Sequence, residues 1–217
     1  MCCESMSTGQ EGLKFFGKMS ASISHEIKNV LAIINENAGL LEDLTLMADK
    51  GIPLDSERIK NISLLISKQI RRADGIVKNM NAFSHSADDT IKTVELNDIL
   101  ILMVNLSERF ASMRSVTLEH ASGQSVVNVT TNSFVLENVI WLCLDSAMNF
   151  VGPGKTVRLS AEKKEDAVEI RFGGLKDFSY LAGEQFPGKV LLGMLSALNA
   201  DISVRPECEE LAIIFSE

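Results

Sequence analysis

A long stretch without proline, residues 11–48, carries apolar residues at alternating steps of three and four. This heptad spacing places them along one side of a helix, as in a coiled coil. The segment 49–53 contains a glycine and a proline and predicts where the helix ends. The residues of the stripe are Phe16, Ile23, Ile27, Val30, Ile34, Leu41, Leu44 and Ala48.

A second stretch, residues 56–86, has the same pattern and predicts an antiparallel partner helix after a short break. Two such helices cannot bury both apolar stripes against each other alone. A second copy of the hairpin would cover the remainder and form a four-helix bundle. The pattern therefore predicts a homodimer. The apolar residues of this second stripe are Ile59, Ile62, Ile66, Ile70, Ala73, Ile76, Met80 and Phe83.

The pattern of apolar and polar residues changes after a polar linker at 84–93. Helical patterns at 96–113, 133–150 and 188–199 alternate with short strand-like runs up to residue 215. This mixture predicts an α+β fold in which one sheet packs on a helical layer. We thus expect a disordered N-terminus at 1–11, a helical hairpin at 12–88 and an α/β domain at 94–217.

Composition excludes several partners. The formal net charge is −8 and basic residues form no long run, so neither nucleic acid nor an anionic membrane surface is expected to bind. No apolar run is expected to be long enough to span a bilayer, and the first residues do not resemble a signal peptide, which predicts a cytoplasmic protein. The four cysteines form no CxxC pair and are expected to be reduced thiols: Cys2, Cys3, Cys143 and Cys208.

The hexapeptide SHEIKN, residues 24–29, holds the candidate site. His25 and Asn29 are four residues apart and share one helical face, pointing away from the apolar stripe, with Glu26 beside them. A solvated histidine is the plainest interpretation. A zinc site of the HExxH type would need a second histidine where Asn29 stands. The third interpretation is phosphoryl chemistry, in which a neutral imidazole attacks phosphorus and the adjacent carboxylate orients the ring.

The segment FFGKMSASISHEIKNVLAIINENAGLLEDL resembles the H-box helix of HisKA-type two-component histidine kinases. The order of hairpin, linker and α/β domain is also similar to that family, so the resemblance covers nearly the whole chain after residue 12. It implies that His25 is the phosphoacceptor and that Glu26 assists phosphoryl transfer. The family's E-x-x-N/T pattern serves hydrolysis of a partner's phospho-aspartate, and it is matched from Glu26 to Asn29.

The second domain departs from this family where the family binds ATP. Leu142 and Ser146 stand at the positions of two asparagines that help to hold Mg²⁺, and Asn149 replaces a lysine. Phe172 stands where an aspartate accepts a hydrogen bond from adenine, and phenylalanine has no acceptor. Each of these changes removes a contact that the family makes with the nucleotide.

The glycine-rich phosphate loop of the family is also changed. Gly183 and Gly188 lack its spacing, and Pro187 removes an N–H donor. The apolar framework of the domain remains, so the resemblance implies a degenerate histidine-kinase-type ATPase fold. We expect no cofactor bound by this chain, no metal ligands and no ATP binding.

Without ATP, the resemblance implies that His25 exchanges phosphoryl groups with aspartates of response-regulator receiver domains, which bring their own Mg²⁺. The leading hypothesis is a homodimeric histidine phosphotransfer protein. Three alternatives remain: a response-regulator phosphatase in which Asn29 positions water, a non-catalytic pseudokinase, and an active kinase with divergent nucleotide contacts.

Overall fold

The chain begins with two long helices. The structure, a computed structural model, describes residues 2–121, 125–164, 167–176 and 186–216, with side chains from residue 9 to residue 215. Helix α1 spans Cys2–Asp49 and helix α2 spans Ser56–His85. The N-terminal segment 1–11, expected to be disordered, is therefore helical from Cys2 onward.

Residues 19–81 form one compact unit, which contains most of the helical hairpin. Apart from Ser22, its buried side chains on α1 recur every four or seven residues, as the heptad pattern predicts. The buried Asn37 interrupts this apolar series, and its Nδ2 donates a hydrogen bond to the carbonyl of Ile33 at 2.8 Å. The buried apolar residues on α1 in this unit are Met19, Ile23, Val30 and Leu44.

Much of the apolar surface of the hairpin remains exposed in a single chain. On α2 only Ile62 is buried within this unit, although the stripe predicted there has several more members. Two helices have too little mutual surface to cover residues that point to their sides. The exposed apolar residues of the unit include Leu31, Leu64, Leu65, Ile70, Val77 and Met80.

The second compact unit comprises residues 1–18 and 82–217. The start of α1 thus belongs with the α/β domain, and the unit boundaries differ from the expected 12–88 and 94–217. Its other helices are α3 (Leu96–Met113), α4 (Ser133–Val151) and α5 (Lys189–Ala197). Its strands are β1 (Lys92–Glu95), β2 (Thr117–His120), β3 (Asn128–Thr131), β4 (Thr156–Lys163), β5 (Ala167–Gly173), β6 (Ala200–Arg205) and β7 (Glu210–Ser216).

The strands form two sheets rather than the one expected. Five of them pair in the order β2-β4-β5-β7-β6, with β2 and β4 parallel and the other neighbours antiparallel. The remaining two, β1 and β3, form a separate antiparallel pair in which Lys92 faces Thr131. The mixture of helices and strands confirms the α+β class.

One face of the five-stranded sheet builds the core with the helices. Leu159, Phe172 and Leu211 are neighbours across three strands, and all three are fully buried. The burial of alternate residues follows from the period of two along a strand. The apolar framework therefore forms a complete core.

Helix α4 is the central helix of this core. Its mean hydropathy of 1.4 and its 19 residues meet the length and composition of a membrane span, so the expectation that no apolar run was long enough is wrong for α4. The same helix buries 56% of its apolar window within the domain. Its hydropathy is that of a core helix packed on a sheet.

The other face of the sheet carries a cluster of ions. Glu169 is 3% exposed and accepts hydrogen bonds from Arg205 at 2.7 and 3.0 Å, from Lys164 at 2.8 Å and from Arg171 at 3.0 Å. The hydrogen bonds from Arg205 hold the pKa of Glu169 well below its usual range, against the desolvation caused by burial. These bonds satisfy a buried carboxylate that would otherwise be costly.

Candidate functional site

His25 and Asn29 lie on an exposed face of α1. Both side chains are exposed, whereas Ile23 and Val30, on the opposite side of the helix, are buried. The four-residue spacing puts the imidazole and the amide one turn apart on the same surface. Because backbone groups in mid-helix are engaged in helical hydrogen bonds, only the side chains are available for chemistry there.

Glu26 is directed toward the second helix of the hairpin. Its Oε2 lies 3.8 Å from Nη2 of Arg72 on α2, and its side chain is only 15% exposed. Arg72 was not among the residues singled out from the sequence. At this distance the two side chains form a half-exposed ion pair beside His25.

The arrangement offers three kinds of group to a partner docked on α1. The imidazole is a nucleophile when neutral, the carboxylate is a hydrogen-bond acceptor, and the amide can both donate and accept. An exposed nucleophile on a helix can be reached by a large partner, in contrast to one in a closed cleft. The described residues contain no group of three or more His, Cys, Asp or Glu that could hold a metal ion.

The positions that the resemblance assigned to Mg²⁺ and phosphate contacts lie along one face of α4. Leu142, Ser146 and Asn149 follow each other at helical spacing, and none of them is buried. Of these three, Ser146 and Asn149 are polar, and neither carries a charge.

Phe172 lies in the hydrophobic core. It is 0% exposed on β5, where it pairs with Leu159 on one side and Leu211 on the other. Gly174 follows with φ +85°, and a Cβ at this position would clash with the carbonyl of Thr156. Strand β5 ends at Gly173. The chain therefore leaves the sheet directly after Phe172, whose side chain packs with aliphatic residues.

Pro187 precedes α5 and is half-buried. The next residue, Gly188, is the N-cap of α5 and makes no side-chain capping bond. Gly183 lies outside the described residues. The residues that the resemblance placed at nucleotide motifs thus lie in three parts of the domain: Leu142, Ser146 and Asn149 on α4, Phe172 on β5, and Pro187 before α5.

A buried carboxyl group on α4 was also missed in the sequence. Glu137 is fully buried, and its Oε2 lies 2.8 Å from Oγ of Ser86, which itself lies 2.8 Å from the carbonyl of Phe83. The Ser86 hydroxyl donates a hydrogen bond to Oε2 of Glu137 and also lies within hydrogen-bond distance of the Phe83 carbonyl. Burial raises the pKa of Glu137 to about 8.

The remaining histidines have local partners. His85 is exposed and its Nδ1 lies 2.7 Å from the Asp88 carboxylate, whereas the half-buried His120 lies 3.2 Å from Oδ1 of Asn97. His120 lies at the end of strand β2.

The cysteines differ in exposure. Cys143 is buried and free, its thiol pKa raised by burial, whereas Cys208 is free and exposed. The side chains of Cys2 and Cys3 lie outside the described residues.

Comparison with known proteins finds sensor histidine kinases. No family model matches the chain. It is 24% identical over 160 residues to the sensor histidine kinase ZraS of Salmonella typhimurium, covering 74% of this chain and 32% of that protein. The ZraS of Salmonella typhi is 23% identical over 154 residues, covering 71% and 31%. The chain spans about a third of the length of these curated relatives.

Solved structures with a similar arrangement are also histidine kinases. The histidine kinase AdeS of Acinetobacter baumannii has a TM-score of 0.47 and 14% identity, covering 88% of this chain and 97% of that one. The histidine kinase ThkA in complex with the response regulator protein TrrA has a TM-score of 0.47 and 18% identity, covering 95% and 62%.

Proposed function

We propose that this chain, which is similar to sensor histidine kinases, is a histidine phosphotransfer protein of a two-component signalling system. His25 takes a phosphoryl group from the aspartate of one response-regulator receiver domain and passes it to the aspartate of another. The observation that carries this proposal is the contrast between an exposed His25 and a fully buried Phe172.

The transfer step needs nothing from this chain beyond the hairpin surface. The lone pair of a neutral ring nitrogen of His25 attacks the phosphorus, an N–P bond forms, and the P–O bond to the aspartyl carboxylate breaks. The carboxylate leaves with the bonding electrons, and the ring proton passes to solvent or remains on the imidazolium. Glu26 stabilises that positive charge, and Arg72 holds Glu26 in place.

The nucleotide site supports a protein donor rather than ATP. A phenylalanine packed between Leu159 and Leu211 cannot accept a hydrogen bond from an adenine amino group. The face of α4 offers Leu142 and Ser146 in place of metal-binding asparagines. The residues present do not fit Mg²⁺ with ATP, and we assign the Mg²⁺ of the reaction to the receiver domain.

The exposed apolar stripe of the hairpin supports a homodimer. Ile70, Val77 and Met80 on α2 are each more than 40% exposed. A second hairpin packed against this stripe would form a four-helix bundle with helical surfaces on which two receivers could dock. ThkA has been solved in complex with a response regulator, and we assign the same class of partner to this chain.

A response-regulator phosphatase is the second candidate, and Asn29 favours it. The exposed amide lies one turn from His25 on the same face, where it could position a water molecule against a phospho-aspartate. In that case the phosphoryl group would leave as inorganic phosphate without resting on His25. The two reactions therefore depend on different residues of the same surface.

One assay separates these functions. Purified receiver domains phosphorylated with ³²P-labelled acetyl phosphate are mixed with the wild-type protein, H25Q and N29A, and label is followed on each protein and in free phosphate. Relay predicts acid-labile label on the wild type and on N29A, transfer to a second receiver, and no label on H25Q. Release of phosphate that survives H25Q but not N29A would indicate a phosphatase. If H25Q and N29A each kept both relay and phosphate release, the relay and the phosphatase hypotheses would both be contradicted.

A further inference from the structure

The connection between α2 and β1, residues 86–91, is attached to the α/β domain at its first residue. Ser86 is 3% exposed, whereas residues 87–91 are all exposed. Oγ of Ser86 lies 2.8 Å from Oε2 of Glu137, and the carbonyl of Ser86 accepts a hydrogen bond from Oγ of Ser133 at 3.0 Å. These residues belong to the same compact unit. Two hydrogen bonds at Ser86 thus hold the connection on the start of α4.

Glu137 is enclosed at this point and only half satisfied. The residue is 0% exposed, and within the described part of the chain its Oε1 has no hydrogen-bond partner. Burial raises the pKa of Glu137 to about 8, against a smaller opposing effect of the Ser86 hydrogen bond and the charge of Lys92. A buried carboxylate with a single hydrogen bond is unfavourable. The enclosed site therefore accommodates the protonated carboxyl and disfavours the ionised one.

The charged residues on the surrounding elements are engaged elsewhere. Nζ of Lys92 on β1 lies 3.4 Å from the carbonyl of His85, at the end of α2. The other charges nearby form local pairs at the surface, His85 with Asp88 at 2.7 Å and Glu11 with Lys14 at 3.1 Å. An ionised Glu137 is therefore stabilised most readily by access to water.

The connection is the neighbour of Glu137 that can open at the least cost. Helix α4 is the central helix of the core. The end of α2 is held by Phe83, whose ring centroid lies 5.4 to 6.1 Å from those of Phe15, Phe16 and Phe134. Residues 87–91 have no buried side chain, so release of Ser86 breaks hydrogen bonds without uncovering a packed apolar group.

We propose that Glu137 is a proton-controlled latch on the connection between α2 and β1. With the proton in place, Ser86 stays on α4 and the latch is closed. When the carboxyl loses its proton to solvent, Ser86 leaves α4 and water reaches the carboxylate. The latch thereby sets how many residues between α2 and β1 are free to move. This inference is independent of the phosphoryl chemistry proposed for His25.

The direction of the pH dependence follows from the two states of Glu137. The carboxyl has its ordinary pKa of 4.5 when the connection is open and a pKa of about 8 when it is closed. The closed state is therefore fully favoured below about pH 4.5. Between these values each pH unit favours opening by roughly tenfold, and above pH 8 the dependence ends.

Hydrogen–deuterium exchange of the full chain tests the latch, with fragments covering residues 84–91 and strand β5 followed by mass spectrometry. Each rate is divided by that of the unfolded chain at the same pH. In the wild type the corrected rate for 84–91 should rise roughly tenfold per unit between pH 5.5 and 7.5. Low concentrations of urea should leave it unchanged, since a local opening exposes little surface, but should accelerate exchange in β5.

Two variants complete the test. E137Q cannot ionise, so its corrected rate for 84–91 should be the same at both pH values, whereas E108Q, at an exposed position of α3, should follow the wild type. The proposal is overturned if the wild-type rate does not change with pH or if E137Q shows the same change. It is also overturned if urea accelerates 84–91 as steeply as β5, because Glu137 would then titrate only on global unfolding. The pH and urea profiles of the wild type keep the test decisive should E137Q fail to fold.

Discussion

The hairpin around His25 and the α/β domain offer different chemistry. The hairpin presents a histidine, a carboxylate and an amide within five residues, with the carboxylate paired to Arg72. The α/β domain presents Ser146 and Asn149 on a helix, and a phenylalanine that is buried in the core. One region has potentially reactive side chains at the surface, whereas in the other Phe172, at the position where the resemblance implies an aspartate, packs in the core.

A fold and a ligand site depend on different residues. The core of the α/β domain depends on apolar side chains such as Leu159, Phe172 and Ile213, which are fully buried. Under the function proposed above, polar positions of a nucleotide site could change without loss of this core, and Phe172 would add to its stability.

Replacement of His25 tests whether the hairpin carries the phosphoacceptor, and it should have the largest effect. H25Q should abolish the acid-labile label on the chain completely, because glutamine is not a nucleophile toward phosphorus. The measurement is gel autoradiography after mixing with a phosphorylated receiver. H85Q serves as the control, since His85 is also exposed but interacts with Asp88, and it should be labelled like the wild type. Equal labelling of H25Q would show that another residue is the acceptor.

Replacement of Phe172 tests whether the altered position is structural. F172A should lower the free energy of unfolding by about 3–5 kcal/mol, because it opens a cavity in the core, while F172L should cost less than about 1.5 kcal/mol. Urea unfolding followed by the fluorescence of Trp141, the only tryptophan, measures both values. If F172A had the same free energy of unfolding as the wild type, the side chain of Phe172 would not be packed in the core as described.

Glu137 gives the α/β domain a pH dependence that the hairpin does not share. Its pKa is raised in the folded state, so its contribution to stability is fully present below about pH 4.5 and is lost as the pH rises toward 8. E137Q keeps the hydrogen bond to Ser86 without this penalty and should be more stable than the wild type at pH 8 by a few kcal/mol. The two proteins should become similar near pH 4.5.

The control for this prediction is E108Q, an exposed position on α3. Its unfolding free energy, measured by urea at pH 4.5, 6.5 and 8, should follow that of the wild type. If E137Q were more stable than the wild type by the same amount at all three pH values, the pH dependence of stability would not come from Glu137.

The pair between Glu26 and Arg72 should have the smallest effect. R72A should reduce the rate of phosphoryl transfer to His25 by about two- to fivefold, as expected for a half-exposed ion pair. R71A removes the same charge from an exposed neighbouring position and should leave the rate unchanged. Rapid-quench labelling measures the rates. Equal effects of the two variants would indicate only a general charge effect.

Periodicity predicted most of the fold. The stripes of α1 and α2 follow a heptad spacing, and the α/β strands and helices are short runs with clear apolar alternation. Strand β1 was missed because it lies in the polar stretch that was read as a linker, and its four residues depend on pairing with β3. Pairing between distant strands is not encoded in local sequence.

The candidate site was predicted only in part. His25, Glu26 and Asn29 could be placed on one helix because they are close in sequence, and their roles remain predictions. Arg72 could not be found, because the register between two helices depends on packing along their whole length. In the sequence, Glu137 cannot be distinguished from an ordinary polar residue of a helix. Its hydrogen-bond partner Ser86 lies 51 residues away along the chain.

In the proposed function, His25 receives its phosphoryl group from a protein and not from ATP. This donor can be identified by incubating the full chain in parallel with γ-³²P-ATP plus Mg²⁺ and with a ³²P-phosphorylated receiver domain, and then quantifying acid-labile label on wild type and H25Q. We expect label on the wild type from the receiver alone, and none on H25Q. Stable labelling of His25 from ATP would contradict the proposed function.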